Sequence, residues 1–260
     1  MIAPRTTDPA AALAATQVLA HLVIAVAAVI LLWYLYAYTE YVAVGPARHR
    51  TWYLAIAVGA AFLYGSSGVL ALETDIGWSA VFSEGATLFF ILFLALWLRA
   101  MYYSCRRGGE TGESPLPSWI DYLIIGAFVV AWWSGFLVAH RFTPVVVSVG
   151  WVLASVWALW YAILVVRRHE GTSIAALTRF LFPAVLAFTV TVLADLVGST
   201  MAGAESVVAG TWIVGTVLVG AFLFTTAVAI RQQGGEVERM YDWTTWRAGG
   251  RAREDDERSA

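Results

Sequence analysis

The chain alternates long apolar runs with short polar connections, and the length of the runs decides the architecture. Seven stretches, at 17–41, 52–72, 78–98, 119–140, 143–166, 176–198 and 206–230, carry almost no charge. Each has about the 20 residues that a helix needs to cross a hydrocarbon core of about 30 Å. The runs are continuously apolar, whereas the strands of a membrane barrel alternate in segments of about ten residues, so helices are predicted. The first run is too long for a cleaved leader and reads as the first membrane helix. The expectation is an all-α membrane protein: a seven-helix transmembrane bundle over 1–232, followed by a polar segment over 233–260.

Composition supports this reading. Of the 260 residues, 60% are hydrophobic and 13% charged, against about 25% charged in soluble domains. One cysteine, Cys105, leaves no internal disulfide and no multi-cysteine metal or cluster site.

All 16 basic residues are arginines, and their placement sets the orientation. Fourteen fall in the first, third and fifth connections and in the C-terminal segment: Arg48, Arg50, Arg99, Arg106, Arg107, Arg167, Arg168, Arg179, Arg231, Arg239, Arg247, Arg251, Arg253 and Arg258. Only Arg5 and Arg141 lie on the other side. Cytoplasmic connections are enriched in arginine and lysine, so the N-terminus is expected outside and the C-terminus in the cytoplasm of a multi-pass cell-membrane protein. The third connection, with Gly108, Gly109, Gly112, Pro115 and Pro117, is expected to be a mobile loop. In the polar segment, Met240, Tyr241, Trp243 and Trp246 sit among arginines, which suits either a helix at headgroup level or a disordered segment. The arginine-only usage and the acidic Glu254–Glu257 end fit a GC-rich or salt-loving, archaeal-like host.

Ionisable groups inside a membrane segment are expensive and face protein or water. Four qualify, and all converge on the outer half: Glu84, about 9 Å inside the third span, Asp195 near the outer end of the sixth, Glu205 at the start of the seventh and His21 in the first. Ser79, Ser83 and Thr87 recur every four residues beside Glu84, giving the third helix a polar stripe that should face protein. Together, Glu84, Ser83, Thr87, Asp195, Glu205 and His21 predict an outward-facing cavity for a ligand or ion. The plainer alternative makes Asp195, Glu205 and His21 interfacial residues whose polar ends reach the headgroups. Relay groups for a proton path would be needed in both halves, and the inner half offers only Asp121 and Glu40 at its boundary. No metal or haem site is expected: His21 and His140 lie toward the outside and His49 and His169 toward the inside, His140 stands at a helix end beside Arg141, and no H-x-x-x-H or H-x-x-x-D occurs within a span. Trp157 and Tyr161, one turn apart, form an aromatic face that suits either a polyene or the lipid boundary.

The pattern over residues 17–232 resembles the microbial (type 1) rhodopsin family. The resemblance rests on seven spans, on R-H-R-T-W-Y-L-A-I-A-V-G-A-A-F-L-Y at 48–64, on Arg141-Phe142 opening the fifth span, on Phe182-Pro183 in the sixth, and on Asp195 and Glu205 bracketing the last turn. It implies a shared bundle, yet the photochemistry is not carried over. Where the family has an arginine, a carboxylate, a tryptophan and a proline in the third span, this chain reads S-A-V-F-S-E-G-A-T-L-F-F, with Glu84 near the carboxylate position. Trp212 and Thr216 stand near the family's aspartate and chromophore lysine. With no lysine anywhere in the chain, no side chain can form the imine, and retinal, a carotenoid or another isoprenoid could bind only noncovalently.

The functional expectation is an opsin-like sensor, ligand-binding or assembly protein without covalent retinal, and not an enzyme. Two alternatives are a membrane enzyme of isoprenoid or carotenoid metabolism using Glu84 as acid, and a seven-helix sensory module serving a separate kinase or transducer through 233–260. The expected partners are the bilayer and a second membrane protein or copy of this chain, not nucleic acid.

Overall fold

The computed structural model describes the backbone of residues 9–42, 46–74, 77–104, 119–137, 143–168, 173–198 and 205–258, with Glu170 and Gly203. Side chains are described over 11–37, 51–74, 82–83, 85–103, 119–120, 122–130, 149–168, 174–194 and 206–232, and at 170, 198 and 203. Within those residues the regular structure is α-helix throughout, with Thr74, Glu170 and Gly203 in bends or turns. The elements are α1 (Pro9–Val42), α2 (Pro46–Glu73), α3 (Gly77–Ser104), α4 (Trp119–Leu137), α5 (Thr143–Arg168), α6 (Ser173–Gly198) and α7 (Glu205–Arg258). Prolines open α1 and α2 and occupy the first turn of α5, where a missing N–H is harmless because that turn has no acceptor for it.

Six of these helices are long and apolar enough over their described residues to cross a membrane: Ala11–Ala37, Thr51–Glu73, Gly85–Tyr103, Val149–Arg168, Ile174–Ala194 and Ser206–Gln232. The chain is thus a multi-pass helical membrane protein. α4 has 19 residues, but its described side chains end at 130.

The packing order is a closed ring, α1–α2–α3–α5–α6–α7 and back to α1, while α4 meets the ring chiefly at α3. α3 is apolar all round because it is buried all round: 83% of its best membrane window is covered by protein, and Phe90, Ile91, Leu94, Trp97 and Leu98 are sealed inside. α1 keeps one stripe inward (Ile24, Ala28, Leu31) and turns Leu22, Val26 and Val29 outward, as a helix between core and lipid should.

Helices cannot gain from apolar burial against lipid tails, so close backbone approach and van der Waals contact hold them together. Two glycines grip α1 from either side. A Cβ on Gly65 of α2 would stand 2.6 Å from the His21 carbonyl oxygen and 2.8 Å from the Ala25 nitrogen. A Cβ on Gly220 of α7 would meet the Ile24 nitrogen at 3.2 Å. Several hydroxyls within the apolar spans are satisfied locally: Ser67, Thr178, Thr189, Thr191 and Thr226 each donate to the carbonyl four residues earlier.

The expected end of the third span is corrected. α3 runs past Leu98 to Ser104, and Arg99, assigned above to a connection, is a helix residue only 3% exposed. α7 continues without a break through the polar segment to Arg258.

Candidate functional site

Every helix of the ring sends a side chain into one layer of packed rings. Tyr64 of α2, 3% exposed, is its hub. Its ring lies 5.2 Å from that of His21 on α1, 5.6 Å edge-on to Phe188 on α6 and 6.5 Å from Trp212 on α7. Phe188 in turn meets Phe90 of α3 at 5.5 Å and Trp151 of α5 at 5.3 Å. Aromatic pairs at such separations each contribute about 0.5–1.5 kcal/mol beyond simple area burial, so the layer ties six helices together.

Two hydrogen bonds fix its polar groups. The Tyr64 hydroxyl and Thr216 Oγ1 share one at 3.3 Å, and Trp151 Nε1 donates to Thr87 Oγ1 at 2.8 Å. Both threonines are buried, as are the partners that reach them. Thr216 therefore does face the bundle interior, and the space before it is filled by the Tyr64 phenol. Thr87, the inner member of the predicted polar stripe, faces protein as a partner for α5, and Ser83 one turn outward is half-buried.

His21 is held between two helices. Its Nδ1 lies 2.8 Å from the Gln17 carbonyl oxygen; a carbonyl only accepts, so Nδ1 carries a proton and the neutral ring keeps Nε2 as its acceptor. That edge of the ring abuts Gly68, where any Cβ would collide with it. The histidine is thus part of the α1–α2 interface.

The carboxylates expected beside this layer are placed by backbone alone. Glu84 is on α3, Asp195 on α6 and Glu205 opens α7, and their side chains lie outside the described residues. Counting from Thr87, Phe188 and Thr216 at 1.5 Å per residue, their backbones stand about 5, 10 and 16 Å from the layer, all on the side of the α2–α3 and α6–α7 connections. Among the described residues no group of three or more His, Cys, Asp or Glu could hold a metal. Among the described residues of this layer, hydroxyls and rings offer close packing and weak hydrogen bonding, without a charged acid or base.

Two features escaped sequence reasoning. Tyr64 looked like one more apolar-run residue, although it is the one tyrosine in the interior of its span. At the end of the bundle where α3 and α5 finish, Arg99 is buried beside a cluster in which Tyr102 meets Tyr103 at 5.0 Å and Tyr161 at 5.9 Å. The Arg168 guanidinium stands 4.6 Å over the Tyr102 ring, and Trp157 meets Tyr161 at 6.3 Å. The aromatic face predicted at Trp157 and Tyr161 thus joins this cluster. Exposed Trp33, Tyr36, Trp52 and Trp160 surround the bundle at the same end, forming an aromatic belt with Arg167, Arg168 and Arg231.

The fold and this layer define a polytopic membrane protein whose helices are joined through a central aromatic and hydroxyl cluster. Comparison with protein-family models, with curated proteins and with solved structures finds no match.

Proposed function

We propose that this chain is an opsin-like, seven-helix membrane sensor without a covalent chromophore, with its N-terminus outside and 233–258 as its cytoplasmic output. The observation that carries the reading is the continuity of α7. Trp212 and Thr216, which meet Tyr64 in the central layer, lie on the same unbroken helix as residues 233–258. A rearrangement of the layer on ligand binding would tilt or rotate α7, and a rigid helix carries such motion beyond the membrane. The arginine and aromatic belt at the inner end supports the orientation.

Two experiments test this. In a Cys105→Ser background, Asp75→Cys should react with an impermeant thiol reagent added outside intact cells, and Glu110→Cys should not. Reaction of both or of neither removes the seven-span topology. For the output, Tyr64→Phe deletes one interhelical hydrogen bond, worth about 0.6 kcal/mol in a membrane or roughly threefold in an equilibrium constant. Amide exchange over 233–258 should change by about that factor, while Leu22→Ala, on the lipid face of α1, leaves it unchanged. Unchanged exchange in Tyr64→Phe would show that α7 does not transmit the state of the layer.

A further inference from the structure

The end of the bundle where α3 and α5 finish gathers positive charge that the central layer does not use. α5 closes on Arg167 and Arg168, both exposed, and α3 carries the buried Arg99 shortly before it ends at Ser104. The Arg168 guanidinium lies 4.6 Å over the Tyr102 ring, so it reaches across the seam between the two helices. Tyr102, Tyr103 and Tyr161 stand together at that seam, with the rings of Tyr103 and Tyr161 6.3 Å apart, and all three are half-buried.

Charge decides what this seam attracts. Arg99, Arg167 and Arg168 bring three positive charges. The C-terminal ends of α3 and α5 set against them roughly half a negative charge each. Glu170, the one described carboxylate at this end, already pairs with Arg179 at 3.6 Å. Asp121 is brought to the same end by the start of α4, and its side chain lies outside the described residues. It removes at most one charge more, so the sum stays near +1, more than the helix ends require. Depth narrows the choice of anion. Polar sequence follows both helices, C-R-R-G-G-E after α3 and H-E-G after α5, so the guanidiniums stand where hydrocarbon gives way to headgroups. A guanidinium fork matches two phosphate oxygens, and a phenol hydroxyl donates to a third. A zwitterionic lipid neutralises its phosphate with its own cation, whereas an anionic one leaves that charge for the protein.

We propose that Arg167 and Arg168, with Tyr102 and Tyr103 beside them, form a site for the phosphate of an anionic phospholipid at the seam of α3 and α5. Arg99 is the buried positive charge behind it. The proposal rests on the membrane placement of the chain and on the charge at this seam, not on the sensor reading, so the two fail separately.

The test is a competition read by native mass spectrometry, with the full-length protein in a nonionic detergent and equal amounts of phosphatidylglycerol and phosphatidylcholine of matched chains. The first lipid retained should be phosphatidylglycerol by about thirtyfold, the weight of two guanidiniums beside an anionic lipid. Arg168→Gln should narrow that preference by about fivefold, the weight of one guanidinium, and leave the melting temperature in phosphatidylcholine unchanged. Arg231→Gln is the control, because it removes the same charge from α7, where Arg231 lies 6.0 Å over the Tyr34 ring. It should leave the preference within about twofold of the unmodified protein. Equal retention of the two lipids, a preference unchanged in Arg168→Gln, or an equal loss in Arg231→Gln overturns the proposal; the last would reduce it to general attraction between a basic surface and anionic lipid. Millimolar inorganic phosphate should not displace the bound phosphatidylglycerol. Displacement would assign the seam to a soluble phosphate and overturn the lipid.

Discussion

Gly65→Val should be among the most damaging single substitutions in the bundle, lowering the melting temperature in detergent by about 10 °C. The side chain has nowhere to go, because its Cβ would stand 2.6 Å from one backbone atom of α1 and 2.8 Å from another. Backbone cannot swing aside as a flexible side chain can, so α1 must move outward. That movement loosens Ile24, Ala28 and Leu31, which seal α1 against the ring, and pulls His21 off Tyr64. Overpacking costs about 1–3 kcal/mol when it is local. Here it opens a whole interface, which sets the expectation at about 3 kcal/mol, and each kcal/mol moves the midpoint of a chain of this size by about 2–4 °C. Gly59→Val on the same helix is the control: no atom lies within 4 Å of a Cβ there, and its midpoint should hardly move. A midpoint for Gly65→Val within about 2 °C of the unmodified protein would mean that α1 and α2 are not in backbone contact.

How much of this could be read from the chain depends on what each feature obeys. The bundle was legible because membrane helices answer to one strong constraint, the satisfaction of every backbone group inside hydrocarbon, and the long apolar runs record it directly. The run at 78–98 was read correctly as a helix but ended too early. A hydropathy window stops at the first guanidinium, whereas the structure buries Arg99 within helix α3 among tyrosines. The place of Thr216 near the middle of the last run followed from the chain. Its bond to Tyr64 did not, since residues 152 apart in sequence meet through packing that no local pattern encodes. Thr87 was found through a period of four on α3, while its partner Trp151 was hidden among other tryptophans of α5. The hydroxyls drew attention as polar stripes, yet most of them, Thr189 and Thr191 among them, are spent on their own helix carbonyls. A polar residue in a membrane run therefore marks a site only when a second helix brings its partner.

The strongest test of the filled interior is to place a lysine, a residue this chain lacks, at position 216. Thr216→Lys places an amine 4% exposed in the bundle core, at the site now bonded to the Tyr64 hydroxyl. The layer offers it the rings of Tyr64, Phe188 and Trp212, and among its described residues no carboxylate. A buried charge without a compensating partner costs about 3–5 kcal/mol, and the longer side chain must also displace the phenol that fills the space. The expected outcome is a fall of about 10 °C or more in melting temperature. Addition of all-trans retinal to this variant should give no red-shifted band and no adduct fixed by borohydride, as is expected for the unmodified protein, which has no lysine at all. Truncating the obstructing ring in the double variant Thr216→Lys, Tyr64→Ala removes the steric part of the penalty and should recover part of the lost stability. If the single variant keeps the parental midpoint and yields a borohydride-fixed retinyl adduct, there is room for a polyene before Thr216. The central layer would then be a chromophore pocket that has lost only its lysine.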